Sequence, residues 1–82
     1  MANPLTIVGI LVEDRAERAP EMQAIITKYG GDILSRMGIS SPDREKGLIT
    51  LVMESEVGQV RRFQRELEAI PGLAVQTLTF PQ

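Results

Sequence analysis

Two stretches, "LTIVGILV" at 5–12 and "LITLVMES" at 48–55, constrain the fold more than any other feature of the chain. Both are rich in β-branched residues and apolar on both sides of a period-two pattern. In the first, Thr6, Val8, Ile10 and Val12 oppose Leu5, Ile7 and Leu11; in the second, Leu48 and Val52 oppose Ile49, Leu51 and Met53. A strand with one wet face should alternate cleanly between apolar and polar residues. These two do not, so each is expected to be a central strand with protein on both sides. Gly9, inside the first, predicts close approach by a neighbour.

Each strand leads into a helix signal. Met22, Ile25, Ile26 and Tyr29 recur at helical spacing, and Gly30 and Gly31 are expected to end that helix. Pro20 bears on where it begins. Deep in a helix proline costs roughly 3 kcal/mol, whereas in the first turn its missing N–H loses nothing. The helix is therefore predicted to start between Glu17 and Ala19, with Asp14–Ala16 as an approach loop, in preference to a helix from Arg15 bent at Pro20. The second helix is carried by Val60, Phe63, Leu67 and Ile70 and stopped by Pro71-Gly72. Asp32–Ile39 reads as a strand, "SSPDREKG" at 40–47 as a hairpin loop, and "LAVQTLTF" at 73–80 as the last strand.

The order is thus β-α-β-β-α-β. Two right-handed crossovers joined by a hairpin give an α+β, ferredoxin-like sandwich: a four-stranded antiparallel sheet with both helices on one face. Residues 1–82 are expected to form a single domain. Helices on one face leave the other apolar side of the central strands uncovered. That side, or a sheet edge, is expected to be buried against another subunit, in a homodimer or homotetramer. Self-association also suits a chain of 82 residues that has no disulfide.

The chain has no cysteine and no histidine. Thiol nucleophiles, Ser-His triads, thiolate or imidazole zinc sites and iron–sulfur ligation are thereby excluded. Only an oxygen-ligand site for a hard cation remains open, and neither metal nor cofactor is expected. A net charge of −2 argues against direct nucleic-acid binding, which needs an excess of Lys and Arg. The apolar run at 5–12 has no basic residue before it and is followed by Glu13 and Asp14. It is too short for a membrane span and lacks the flank of a signal peptide, so a cytoplasmic protein without membrane contact is expected.

Three places carry chemistry worth weighing. "VEDR", Val12 to Arg15, lies where the first strand enters the first helix, and free N–H groups at such a junction suit an anionic ligand. Glu13 and Asp14 would repel one, and they read rather as acids that complement the helix dipole and cap the first turn. In "SRMG", Ser35 to Gly38, Arg36 stands among apolar neighbours and Gly38 lacks a side chain where something could approach. Arg36 either pairs with Glu13, Asp14 or a ligand carboxylate at a subunit interface, or is an edge-strand charge that discourages aggregation. On the second helix Arg61, Arg62 and Arg65 form a basic patch, with Glu66 and Glu68 spaced for pairing within the helix, the pattern of a solvated face. Asp43 with Glu45, and Glu54 with Glu56, read as solvated charge. No nucleophile, base and oxyanion site come together, so the chain is not expected to be an enzyme.

"IVGILVEDR", "YGGDILSRMGI", "DREKGLITLVM" and "IPGLAVQT" occur in an order and spacing that resembles the iron-only hydrogenase system regulators, small stand-alone domains. The resemblance runs from Ile7 to Thr77, and its "VEDR" and "RMGI…REKG" blocks are the specific ones. It implies an ACT-like fold, similar also to the C-terminal domain of the nickel-responsive repressor. It further implies a regulatory domain that works through a small effector or a protein partner. A docking module without a small ligand and a regulatory subunit of a biosynthetic enzyme are the alternatives. Glu13, Asp14, Arg15, Arg36 and Gly38 are the candidate site. Several features depart from these relatives. "VEDRAER" lacks the glycine that amino-acid-binding ACT domains carry there, and the absence of His and Cys excludes nickel sensing. A ribbon-helix-helix arm is missing, Arg65 and Glu68 stand where the family often has glycines, and "GISSPDREKG" is two residues longer than the usual "GIPYREKG".

Overall fold

The computed structural model describes residues 3–13, 15–40 and 46–81, apart from the side chains of residues 15–18, 39 and 40. Its elements are β1 (Leu5–Val12), α1 (Arg15–Lys28), β2 (Ile33–Ser40), β3 (Gly47–Glu54), α2 (Val57–Glu68) and β4 (Leu73–Phe80), with a short 3-10 turn at Gly30–Asp32 between α1 and β2. The strands form one sheet in the order β2-β3-β1-β4, and every neighbouring pair is antiparallel. This is the ferredoxin-like α+β sandwich that the alternation of strand and helix signals predicts.

The core lies between the helices and one face of the sheet. Val8, Ile10 and Val12 of β1 and Leu51 and Met53 of β3 are fully buried there, with Val75 of β4 beside them. Both helices turn their predicted apolar stripes onto that face. Met22, Ile26 and Tyr29 of the first are buried, as are Val60, Phe63 and Leu67 of α2 and Ile70 just beyond it. The Tyr29 and Phe63 rings meet across the two helices, 4.9 Å apart and tilted by 58°, an edge-weighted contact of the kind aromatic pairs prefer. Buried Thr6 satisfies its hydroxyl on Thr79 at 2.9 Å, and buried Ser55 donates to the Asp32 carboxylate at 3.0 Å.

Three local expectations are corrected. Helix α1 runs from Arg15, so Pro20 stands inside it rather than in its first turn. Pro20 is exposed, and the carbonyl four residues earlier, deprived of its partner, shares that helix face and can be hydrated instead. Gly30 and Gly31 do not end the helix through a left-handed cap, because Gly72 is the one glycine with positive φ among the described residues. The chain instead leaves α1 through Tyr29 into the 3-10 turn, with Asp32 donating its N–H to the Tyr29 carbonyl at 3.0 Å. At Gly9 no neighbour comes close within the chain. A Cβ there would meet only the Gln76 carbonyl oxygen, at an ordinary 3.9 Å.

Candidate functional site

The end of the sheet where β1 meets α1 is held by a turn whose residues the sequence dictates. Leu73 donates its N–H to the Ile70 carbonyl at 3.3 Å, closing a four-residue turn around Pro71 and Gly72. Gly72 sits at φ 88°, where an L side chain would be strained. The Gly72 carbonyl then accepts the Glu13 N–H at 2.8 Å. This bond ties the end of β1 to the α2–β4 connection and fixes where Glu13 leaves the sheet.

Beside that bond lies a shallow depression of about 240 Å³ lined by Leu11, Glu13, Gly72, Leu73 and Ala74. It is smaller than the ~300–1,000 Å³ usual for small-molecule pockets. Its walls are mostly apolar, and its one ionisable group is the Glu13 carboxylate. Glu13 is exposed and lies 3.7 Å from the Lys46 ammonium, itself exposed, a pairing worth at most ~1 kcal/mol. Lys46 reads in the sequence only as part of the hairpin loop. The antiparallel register, which sets Val12 against Gly47, brings it to Glu13.

Of the remaining candidates, Asp14 lies outside the described residues, as do Asp43 and Glu45 of the hairpin loop, and of Arg15 only its place as first residue of α1 is described. Arg36 and Gly38 lie on β2, an outer strand of the sheet. Their partners across the ladder are Leu51 and Ile49, which puts both on the helix-covered face, yet both are exposed. Edge strands are where a charged side chain discourages pairing between molecules. A Cβ at Gly38 would touch only the Ile49 side chain, at 3.9 Å, so nothing within the chain requires the glycine. Within one chain Arg36 and Glu13 do not meet. The register places Arg36 level with Val8, two strands across and five residues back from Glu13, about 20 Å by ordinary strand spacings.

One polar cluster is absent from the sequence reading. Tyr29 donates its hydroxyl to Glu66, and Lys28 donates to the same carboxylate at 2.7 Å. Lys28 also lies 5.5 Å from the centre of the Tyr29 ring. Glu66 is therefore engaged by α1 rather than by Arg62, which instead donates to Gln59 at 2.8 and 3.2 Å. The Lys28 hydrogen bond, and then that of Tyr29, hold the Glu66 carboxyl below the usual carboxylate range. The bonds to Glu66 in turn raise Lys28 and Tyr29 above their ordinary values. This cluster joins the two helices. Arg61, Arg62 and Arg65 remain exposed on the outer face of α2.

Among the described residues no group of three His, Cys, Asp or Glu is placed to hold a metal ion. Nor is any of their helices long and apolar enough to cross a membrane. What fold and site define is a ferredoxin-like domain whose candidate charges, Glu13 and Arg36, stand about 20 Å apart on its surface. A profile of the family described as "TM1266-like: Iron-only hydrogenase system regulator, putative" matches residues 4–77. The chain belongs to that family.

Among solved structures, the uncharacterized protein TM1266 from Thermotoga maritima is similar with a TM-score of 0.90 at 23% identity, over 99% of this chain and 100% of that one. The nitrogen regulatory PII-like protein CPII from Thiomonas intermedia, solved with ADP, AMP and bicarbonate, is similar at 0.53 and 14% identity, over 100% and 96% of the two chains. SnoaB, a cofactor-independent oxygenase from Streptomyces nogalater, is similar at 0.50 and 11% identity, over 99% and 94%. These are likenesses of fold. A fold shared by a regulator and an oxygenase does not itself select a function. No curated protein matches the chain.

Proposed function

We propose that this chain is a non-enzymatic regulatory domain of an iron-only hydrogenase system, a single cytoplasmic domain that works as a homodimer or homotetramer and responds to a small effector. The family match over residues 4–77 carries the reading. The effector site is the cleft formed when Glu13, Asp14 and Arg15 of one protomer meet Arg36 and Gly38 of a neighbour. Two features support a shared site over one within a protomer. The depression beside Glu13 is too small and too open to enclose a ligand. Arg36 is an exposed cation on an edge strand, about 20 Å from the Glu13 of its own chain.

A second reading, a docking module for a protein partner with no small ligand, is favoured by the same shallow depression. A thermal-shift screen of nucleotides and amino acids separates the two. ADP and AMP head the screen because the similar fold of CPII was solved with both. The sensing reading expects a reproducible rise of several degrees, abolished in Arg36→Ala although that variant stays folded. A flat screen together with recovery of one defined protein partner would replace sensing by docking.

A further inference from the structure

The face of the sheet away from the helices is apolar from one edge strand to the other. Of the large apolar side chains that are exposed, all but Leu34 and Val57 belong to it. Leu5, Ile7 and Leu11 come from β1 and Leu48 from β3, while Met37, Leu78 and Phe80 project from the edge strands at 65%, 58% and 52% exposure. Among the described residues within the strands of this face Glu54 is the one charged side chain, in a chain that is 24% charged, and the exposed Glu13–Lys46 pair stands at its margin. The middle row of the register, Gln76, Gly9, Thr50 and Met37, is low at its centre, at Gly9 and Thr50, and rises to Met37 on the edge strand.

We infer that this face is the self-association surface, and that its occupant is the same face of a second copy of this chain. The inference rests on the oligomeric reading above and names the surface of one contact; Arg36 and Gly38 lie on the helix-covered side of β2, outside it, so the shared cleft belongs to a second contact, as in a homotetramer. Four strands at about 4.8 Å and eight residues at about 3.3 Å give a face of roughly 500 Å² in projection. Side-chain relief raises the accessible area towards the ~800 Å² per partner of a standard interface. Charge points to a twin rather than to another class of surface. A membrane surface would require an excess of Lys or Arg around the apolar patch, whereas Lys46 at its margin is paired with Glu13 and Glu54 adds a negative charge. A two-fold axis parallel to the sheet and midway between the two copies sets the face against itself. Apolar rows then oppose apolar rows, and the lone Glu54 stays at a corner. Two sheets stacked about 10 Å apart with strands near −30° complete a sandwich whose outer layers are the helices.

The decisive experiment is sedimentation velocity on the full chain and on variants that charge one surface at a time. Leu78→Glu and Met37→Glu alter side chains that are largely solvent-exposed in the protomer, so each folds. Arg61→Glu, on the helix side, is the control. The inference expects a dimer for the unaltered chain and for Arg61→Glu, and a loss of affinity on the order of a hundredfold for both face variants, because each would bury an unpaired carboxylate. If the face variants associate as tightly as the unaltered chain, the open face is not the contact and the inference falls, while the oligomeric reading stands on another surface such as an edge strand. If the unaltered chain sediments as a monomer at micromolar concentration, both fall. Association only with a different protein that Leu78→Glu abolishes would keep the surface but overturn the second copy as its occupant.

Discussion

Gly72 and Gly30 show how differently two glycines act in so small a chain. Gly72 takes φ 88° in the turn that fixes Glu13, and a Cβ in that conformation costs about 1–2 kcal/mol. Gly72→Ala should therefore destabilise the domain by about 1–2 kcal/mol, read as a lower urea midpoint. Gly30 has ordinary φ and nothing within 4 Å of where a Cβ would lie. Gly30→Ala should be neutral, or stabilise by about 0.4–1 kcal/mol through the unfolded chain. The carboxylate shared by Lys28 and Tyr29 makes a pH prediction with a definite sign. Because Glu66 titrates below its ordinary value in the folded protein, its contribution is present above the usual carboxylate range and is lost as the pH falls through the folded value. Lys28 and Tyr29 are raised, so their contributions are complete below their ordinary values and fade in strong alkali. Denaturation of the protein and of Glu66→Gln should differ at neutral pH and converge in acid; a difference independent of pH would contradict the assignment. That partner was not legible in the sequence. Spacing within α2 relates Glu66 only to its own helix, whereas Lys28 reaches it across the fold.

At the scale of elements, sequence pattern and structure agree where burial decides. Both helical stripes and the central strands β1 and β3 follow from which residues must leave water. The boundary of α1 follows from something else. A local rule moves the helix start towards Pro20, but the proline lies on the wet face of a helix anchored by Met22 and Ile26, and packing outweighs one missing hydrogen bond. Pro20→Ala should restore that bond and stabilise the domain by about 1–3 kcal/mol, read as a higher urea midpoint with unchanged slope. An unchanged midpoint would mean that the first turns of α1 contribute little to the folded state. Lys46 shows the reverse limit. Its neighbour Glu13 becomes evident once β1 and β3 are paired in register, and only then.

For the molecule as a whole, the double apolarity of β1 and β3 was legible at once. The structure shows what it leaves: a helix-covered face with the core and an opposite face that is almost free of charge. The candidate site was less legible. Glu13, at the end of central strand β1, and Arg36, on edge strand β2, lie about 20 Å apart in one protomer, and no pattern within a single chain specifies how copies would bring them together. Self-association through the open face is the central claim, and the thermal midpoint of the unaltered chain tests it directly. Over about a hundredfold range of protein concentration, a folded dimer must show a midpoint that climbs steadily with concentration, and Leu78→Glu should show a lower and constant one. A midpoint for the unaltered chain that is independent of concentration would contradict the account.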